Sequence, residues 1–223
     1  MAKKDPLVVR LAKLDSCAVS DAMDKLGYKG TVTGIVPLSS KRRIAGRVHT
    51  EKMVAKEKAT PRSGPPVHAG VAAIEACARG DVIVVEQRSG IDAGSWGGLL
   101  SVAAKKRGVA AAIADGPVRD IDEARAIKFP VFGRSGTART ARNRIVEEAT
   151  DVPVTIGDVS VSPGDYVIAD ATAVVFIPQG EIQKVLEAAE AIAARESAMA
   201  KAIRSGKPLR EVLGADYEHM LKK

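Results

Sequence analysis

Residues 94–120, GSWGGLLSVAAKKRGVAAAIADGPVRD, constrain the fold more than any other stretch of the chain. The segment opens on a glycine-rich turn, Gly94-Ser95-Trp96-Gly97-Gly98, and its apolar spacing predicts a helix over residues 99–106. Gly108 is placed to stop that helix, and the short apolar run 109–114 predicts a buried strand. The strand leads into Asp115-Gly116-Pro117-Val118-Arg119-Asp120. Two features suited to charged ligands therefore flank one turn–helix–strand unit. Free backbone N–H groups at a glycine-rich helix start bind carboxylates or phosphates. An arginine beside an aspartate can hold an anion and a cation side by side. The same residues also admit a structural reading, in which Asp120 caps the next helix and Arg119 pairs with it.

The rest of the chain predicts helices over 17–26, 67–78 and 121–127, and a long one over 181–204 ended by Ser205-Gly206-Lys207-Pro208. Strands are expected at 35–38, 47–54, 81–86 and 129–133, then four short ones between 152 and 177. Residues 30–34 read as a turn, 56–66 as a polar loop and 134–144 as a basic loop. Helices and strands alternate early while strands cluster late. The expected fold class is α/β, with mixed sheets and a long C-terminal helix, as one domain over residues 1–223.

In that last helix Glu196 falls on the apolar stripe, three residues after Ala193 and three before Met199. A carboxylate there must find a partner or reach water at the edge of the stripe.

The net charge of +7 permits an anionic partner, but the basic residues are scattered and aromatics make up only 3%. That pattern offers no stacking platform and argues against nucleic acid. Cys17 and Cys77, the two cysteines, are each expected to be buried in a helix and make neither a disulfide framework nor a metal cluster. His49, His68 and His219 form no zinc-type motif. Without an N-terminal signal-type run or a bilayer-length apolar stretch, a cytoplasmic protein is expected. No lysine stands alone in an apolar strand, which disfavours Schiff-base chemistry. A single exposed carboxylate, Asp120, suits Mg²⁺ or Mn²⁺ with water completing the shell.

Trp96-Gly97-Gly98-Leu99-Leu100, Arg107-Gly108-Val109 and Asp115-Gly116-Pro117-Val118-Arg119-Asp120 together resemble the RraA-like family, which includes the 4-hydroxy-4-methyl-2-oxoglutarate aldolases. The resemblance extends to Val19-Ser20-Asp21-Ala22-Met23-Asp24-Lys25-Leu26-Gly27 and to Phe129-Pro130-Val131-Phe132. It implies a swivelling β/β/α fold, assembled as a homotrimer or hexamer with active sites between subunits. It also implies that Gly97, Gly98, Leu99 and Leu100 bind a pyruvyl carboxylate through backbone N–H groups, that Arg119 binds substrate and acts in catalysis, and that Asp120 ligates a divalent metal. Glu196 matches a catalytic glutamate supplied by the neighbouring subunit. The implied activity is a metal-dependent pyruvate aldolase with oxaloacetate decarboxylase side activity. The alternative is a regulator that binds and inhibits a ribonuclease. The chain departs from the family at Gly98, where many members carry an acidic residue, and at residues 61–68.

Overall fold

The computed structural model describes residues 5–61 and 68–214. Helices α1 (Pro6–Leu11) and α2 (Ser16–Leu26) come first. Strands β1 (Thr31–Val32) and β2 (Val36–Pro37) precede the long β3 (Ile44–Ala55). Next come α3 (Val71–Ala76), β4 (Val82–Gln87), α4 (Gly98–Arg107) and β5 (Ala111–Asp115). The middle of the chain continues through β6 (Pro117–Val118), α5 (Ile121–Ala126), β7 (Val131–Gly133) and β8 (Ser135–Gly136). Strands β9 (Ile145–Thr150), β10 (Val154–Ile156), β11 (Val159–Val161), β12 (Tyr166–Ala169) and β13 (Val174–Ile177) follow. Helices α6 (Ile182–Arg204) and α7 (Leu209–Val212) end the described chain.

Nine strands form one mixed sheet in the order β1-β13-β12-β3-β4-β5-β7-β2, with β9 also paired to β3. β3, β4, β5 and β7 run parallel; β12, β13 and β1 are antiparallel neighbours on one side. The length of β3 joins the two halves, because residues 44–47 pair with β12 and residues 48–53 with β4. This is the mixed α/β architecture with a long C-terminal helix that the sequence predicts.

Alternation of side chains divides the interior into three cores. Ile83, Val85, Ala112 and Ala114 face a core shared with Ala73, Leu100 and Ala124 of α3, α4 and α5. Their neighbours Val82, Val84, Ala111 and Ile113 face the opposite way, into a core closed by the β10–β11 hairpin and by Val167, Val174 and Phe176. The outer face of β12 and β13 is covered by α1, α2 and α6. Strands buried on both faces read as unbroken apolar runs, which is why 82–85 and 174–177 were visible in the sequence.

Several expectations needed correction. Residues 31–32, within the expected turn, form β1 against β13. The basic loop 134–144 contains β8, paired in parallel with β6. Strand β9 lies between the expected elements, and α1 and α7 were not anticipated. Helix α3 stops at Ala76, so Cys77 caps it rather than lying within it. Cys17 is exposed on α2, so only Cys77 is the expected buried thiol. The loop residues 62–66, the start of the helix expected at 67 and His219 lie outside the described residues.

Candidate active site

The glycine corner and the Arg119–Asp120 tip meet. Backbone hydrogen bonds join them: Ser95 N–H donates to the Pro117 carbonyl at 3.0 Å and Arg119 N–H to the Trp96 carbonyl at 2.8 Å. Trp96 is buried beneath the corner, stacked on Phe129 with ring centroids 6.5 Å apart. Its indole N–H donates to Ser101 Oγ at 3.0 Å, and that hydroxyl donates to the Gly97 carbonyl at 3.0 Å. A buried tryptophan with its polar edge satisfied in this way holds the corner rigid.

Asp120 occupies the N-cap position of α5 with a left-handed φ of 56°, uncommon outside glycine, and makes no capping bond. Its Oδ2 instead accepts the Gly98 N–H at 2.9 Å, at the start of α4. The carboxylate is therefore turned across to the neighbouring helix. Asp120 Oδ1 lies 3.9 Å from Arg119 Nη2, and both side chains are about one-third exposed. This is a loose pair in which most of the guanidinium remains available. Arg119 Nε is buried and has no hydrogen-bond partner among the described residues. A Cβ on Gly94 would sit 2.3 Å from Arg119 Cγ, so the absence of a side chain at 94 makes room for the arginine.

With the Gly98 N–H engaged by Asp120, the N–H groups of Leu99 and Leu100 donate to nothing among the described residues. The first N–H groups of a helix have no intrahelical acceptor and carry its positive end. They border a recess of about 260 Å³ lined by Met53, Trp96, Leu100, Arg119, Asp120 and Thr140, among others. His68 also lines it, and its Nδ1 lies 2.7 Å from the Ala69 carbonyl oxygen. Gly94 N–H donates to the Arg139 carbonyl at 3.0 Å, and the Arg139 side chain pairs with Asp92 at 3.4 Å, so both are occupied in fastening the rim.

Asp115, in the same motif, has a different task. It is buried, accepts from Arg134 Nε at 2.7 Å and from Gly157 N–H at 2.7 Å, and so ties the end of β5 to the β10–β11 turn.

Glu196 does not line this recess. It lies on α6, half-buried, and burial and the carboxylates of Asp21 and Asp15 push its carboxyl upward.

One titratable residue was missed by sequence reasoning. Glu51 in β3 is fully buried on the face shared with Met53 and Val85, and neither carboxylate oxygen has a hydrogen-bond partner among the described residues. Its Oε2 is 3.4 Å from where a Cβ on Gly70 would stand, and Leu100 Cδ1 is 3.1 Å from the same point. Burial, with Glu147 nearby, raises its carboxyl to about 8. Glu51 is therefore a neutral acid packed behind the recess.

The fold and site together define a mixed α/β protein whose glycine corner abuts Arg119 and an aspartate with one oxygen that accepts no hydrogen bond among the described residues. Residues 16–176 match the model of the RraA-like family, described as Aldolase/RraA, and the chain belongs to that family. Protein DlpA of Legionella pneumophila is 30% identical over 205 residues, 92% of this chain; the match spans only 33% of that protein. A putative 4-hydroxy-4-methyl-2-oxoglutarate aldolase of Halalkalibacterium halodurans is 28% identical over 196 residues, 88% of each chain. Among solved structures, an uncharacterized protein from Pseudomonas syringae pv. tomato superposes with a TM-score of 0.82 at 27% identity, covering 93% of this chain and 96% of that one. Among the described residues, no helix is long and apolar enough to cross a membrane.

Proposed function

We propose that the chain is a divalent-metal-dependent carbon–carbon lyase, acting over residues 1–223 as one unit. It cleaves 4-hydroxy-4-methyl-2-oxoglutarate or a related 4-hydroxy-2-keto acid to pyruvate and a second carbonyl compound, and decarboxylates oxaloacetate as a side activity. The observation that carries the reading is the contact of Asp120 with Gly98, which brings a guanidinium, a carboxylate oxygen and two amides without an acceptor among the described residues to one recess.

The donor set fits a hard cation. Asp120 Oδ2 is engaged by Gly98, while Oδ1 accepts no hydrogen bond among the described residues and has only the distant Arg119 contact. One protein oxygen is what Mg²⁺ or Mn²⁺ uses when it keeps several waters and takes further ligands from substrate. When bound, such an ion draws electron density from the substrate's 2-keto oxygen.

The chain's own groups account for the rest. The amides of Leu99 and Leu100, with the corner at Gly97, hold the carboxylate of the keto acid. Arg119 lies against the 2-keto oxygen. Loss of the proton from the 4-hydroxyl lets the C3–C4 bond break, making a carbonyl at C4 and leaving its electron pair as the pyruvate enolate. Arg119 stabilises that developing charge, an effect worth a few kcal/mol per preorganised donor. Protonation of C3 completes pyruvate. Loss of CO₂ from oxaloacetate yields the same enolate, so one site serves both reactions.

Glu196 of a neighbouring copy carries the proton, through a water. Its upward-shifted carboxyl suits a group that must both take and return a proton. Assembly as a trimer or hexamer is supported by the exposed apolar side chains of α4, Leu99 at the recess (86% exposed) and Val102 (50%).

The test is pyruvate release from 4-hydroxy-2-keto dicarboxylates and from oxaloacetate, with and without chelator, beside an assay of ribonuclease inhibition. Chelator-sensitive release supports the lyase. Ribonuclease inhibition without release replaces it with the regulator.

A further inference from the structure

A second group of ligand-type side chains meets away from the glycine corner. His49 of β3, Cys77 at the end of α3 and Asp81 just before β4 place one ligand atom each within 4.8 Å of one another. Cys77 is buried, whereas the side chains of His49 and Asp81 remain 22% and 14% exposed, so the group opens to water on one side. His49 Nε2 stands 3.2 Å from Asp81 Oδ2. On the other edge of the ring, Nδ1 lies 3.0 Å from both carboxylate oxygens of Asp151. Asp81 Oδ2 also accepts the Ala78 N–H at 2.7 Å, which fixes its rotamer. Arg107 donates through Nε to the Cys77 carbonyl at 3.1 Å and through Nη2 to the Glu75 carbonyl at 2.6 Å, securing the backbone that carries the thiol.

The arrangement has the parts of a metal centre. A carboxylate that accepts a hydrogen bond from the Nδ1–H of a histidine keeps that proton on Nδ1, leaves the lone pair on Nε2 and orients the ring. Here that lone pair looks toward an aspartate oxygen and a sulfur, three electron-rich atoms that only a shared cation or a proton reconciles. We infer that His49, Cys77 and Asp81 form a zinc site, with Asp151 holding His49 in the ligating tautomer. Tetrahedral bond lengths of about 2.0–2.3 Å put neighbouring ligand atoms roughly 3.3–3.7 Å apart. The His49–Asp81 separation of 3.2 Å is already close to that, and the Cys77 sulfur lies within 4.8 Å of both atoms. Binding transfers the Cys77 thiol proton to solvent and leaves a thiolate, a carboxylate and a neutral imidazole on the ion, with water as fourth ligand. A sulfur donor selects Zn²⁺ over Mg²⁺ or Mn²⁺, which separates this site chemically from Asp120.

Its position indicates its use. The three ligands and Asp151 come from β3, the end of α3, the start of β4 and the β9–β10 turn. The ion would clamp α3 to the sheet from behind, and the residues just before α3, His68 and Ala69, line the recess. The site is a structural clasp on the wall of the proposed active site and does not depend on what that site catalyses.

The test uses the whole chain in excess Mg²⁺, so that hard-cation sites are filled. Equilibration with Zn²⁺ and removal of free metal should leave one zinc per chain, and Co²⁺ should give a thiolate-to-cobalt charge-transfer absorption. Cys77→Ser should abolish that absorption, and Asp151→Asn should weaken zinc binding by about 10- to 100-fold. Failure of the unsubstituted chain to retain zinc, or cobalt spectra without the thiolate band, would overturn the assignment without reliance on any variant. Zinc retention unchanged in Cys77→Ser would do the same, and would leave the contacts of His49 with Asp81 and Asp151 as the account of the cluster.

Discussion

The Asp120 carboxylate accepts the Gly98 N–H at 2.9 Å across 22 residues of chain. That bond takes the place of a cap on α5, with which the Asp120 side chain makes no capping bond. A capping aspartate would turn to the N–H groups of α5; this one turns back to the start of α4, and its other oxygen accepts no hydrogen bond among the described residues. Only backbone fits between them, since a Cβ on Gly97 would lie 2.9 Å from Asp120 Oδ2.

Asp120→Asn and Asp120→Ala separate the two jobs of the residue. Asparagine still offers an acceptor to Gly98 but carries no charge. Both variants should lose at least about a hundredfold in metal-dependent pyruvate release. Alanine alone should also lose about 1 kcal/mol of stability, read by denaturant titration. Full activity in Asp120→Asn would remove the metal from this residue.

Arg119→Ala should lower kcat by about a hundredfold or more, because the enolate loses a preorganised donor. Gly94→Ala tests the same arginine indirectly. Its methyl would lie 2.3 Å from Arg119 Cγ and must displace the side chain, so kcat should fall although no reacting group has changed. Unchanged turnover in both variants would exclude Arg119 from the chemistry.

Glu51 should make stability depend on pH. Its folded carboxyl holds its proton up to about 8, against 4.5 for the ordinary group. Between those values the folded chain binds more protons than the unfolded one, so stability falls as pH rises, by at most about 1.4 kcal/mol per pH unit. Glu51→Gln removes the titration and should flatten that slope in denaturant melts between pH 5 and 8. Identical slopes in the two proteins would show that Glu51 is not the buried acid responsible.

Glu196 is predicted to act in trans. Glu196→Gln and Asp120→Asn chains, each inactive alone, should regain activity when co-assembled, up to about a quarter of the unsubstituted level for random mixing. No recovery in verified mixed oligomers would contradict a shared site.

What could be read from the sequence follows from how local each signal is. Helix α2 was legible because Asp15 caps its start by accepting the Ala18 N–H at 2.8 Å and Gly27 ends it in a left-handed turn. Helix α4 was legible for the same reason at Gly108. β9 was not, because IVEEAT is half-buried and polar, a strand only by virtue of pairing with β3. Glu51 was hidden by an irregularity: Thr50 and Glu51 are both buried where alternation predicts one to face out, near a register shift between β3 and β9. The corner itself was visible as motifs, but the Asp120–Gly98 bond depends on β5 returning beside α4. His49 stands 28 residues from Cys77, and no spacing rule connects them.

The most direct test needs no knowledge of the substrate's distal half. If the corner stabilises a pyruvate enolate, the protein with Mg²⁺ in D₂O should exchange the methyl protons of pyruvate for deuterium, followed by NMR. The exchange should stop with chelator and in Asp120→Asn. Exchange no faster than in Mg²⁺ buffer alone would contradict enolate stabilisation at Arg119 and Asp120, and with it the proposed lyase.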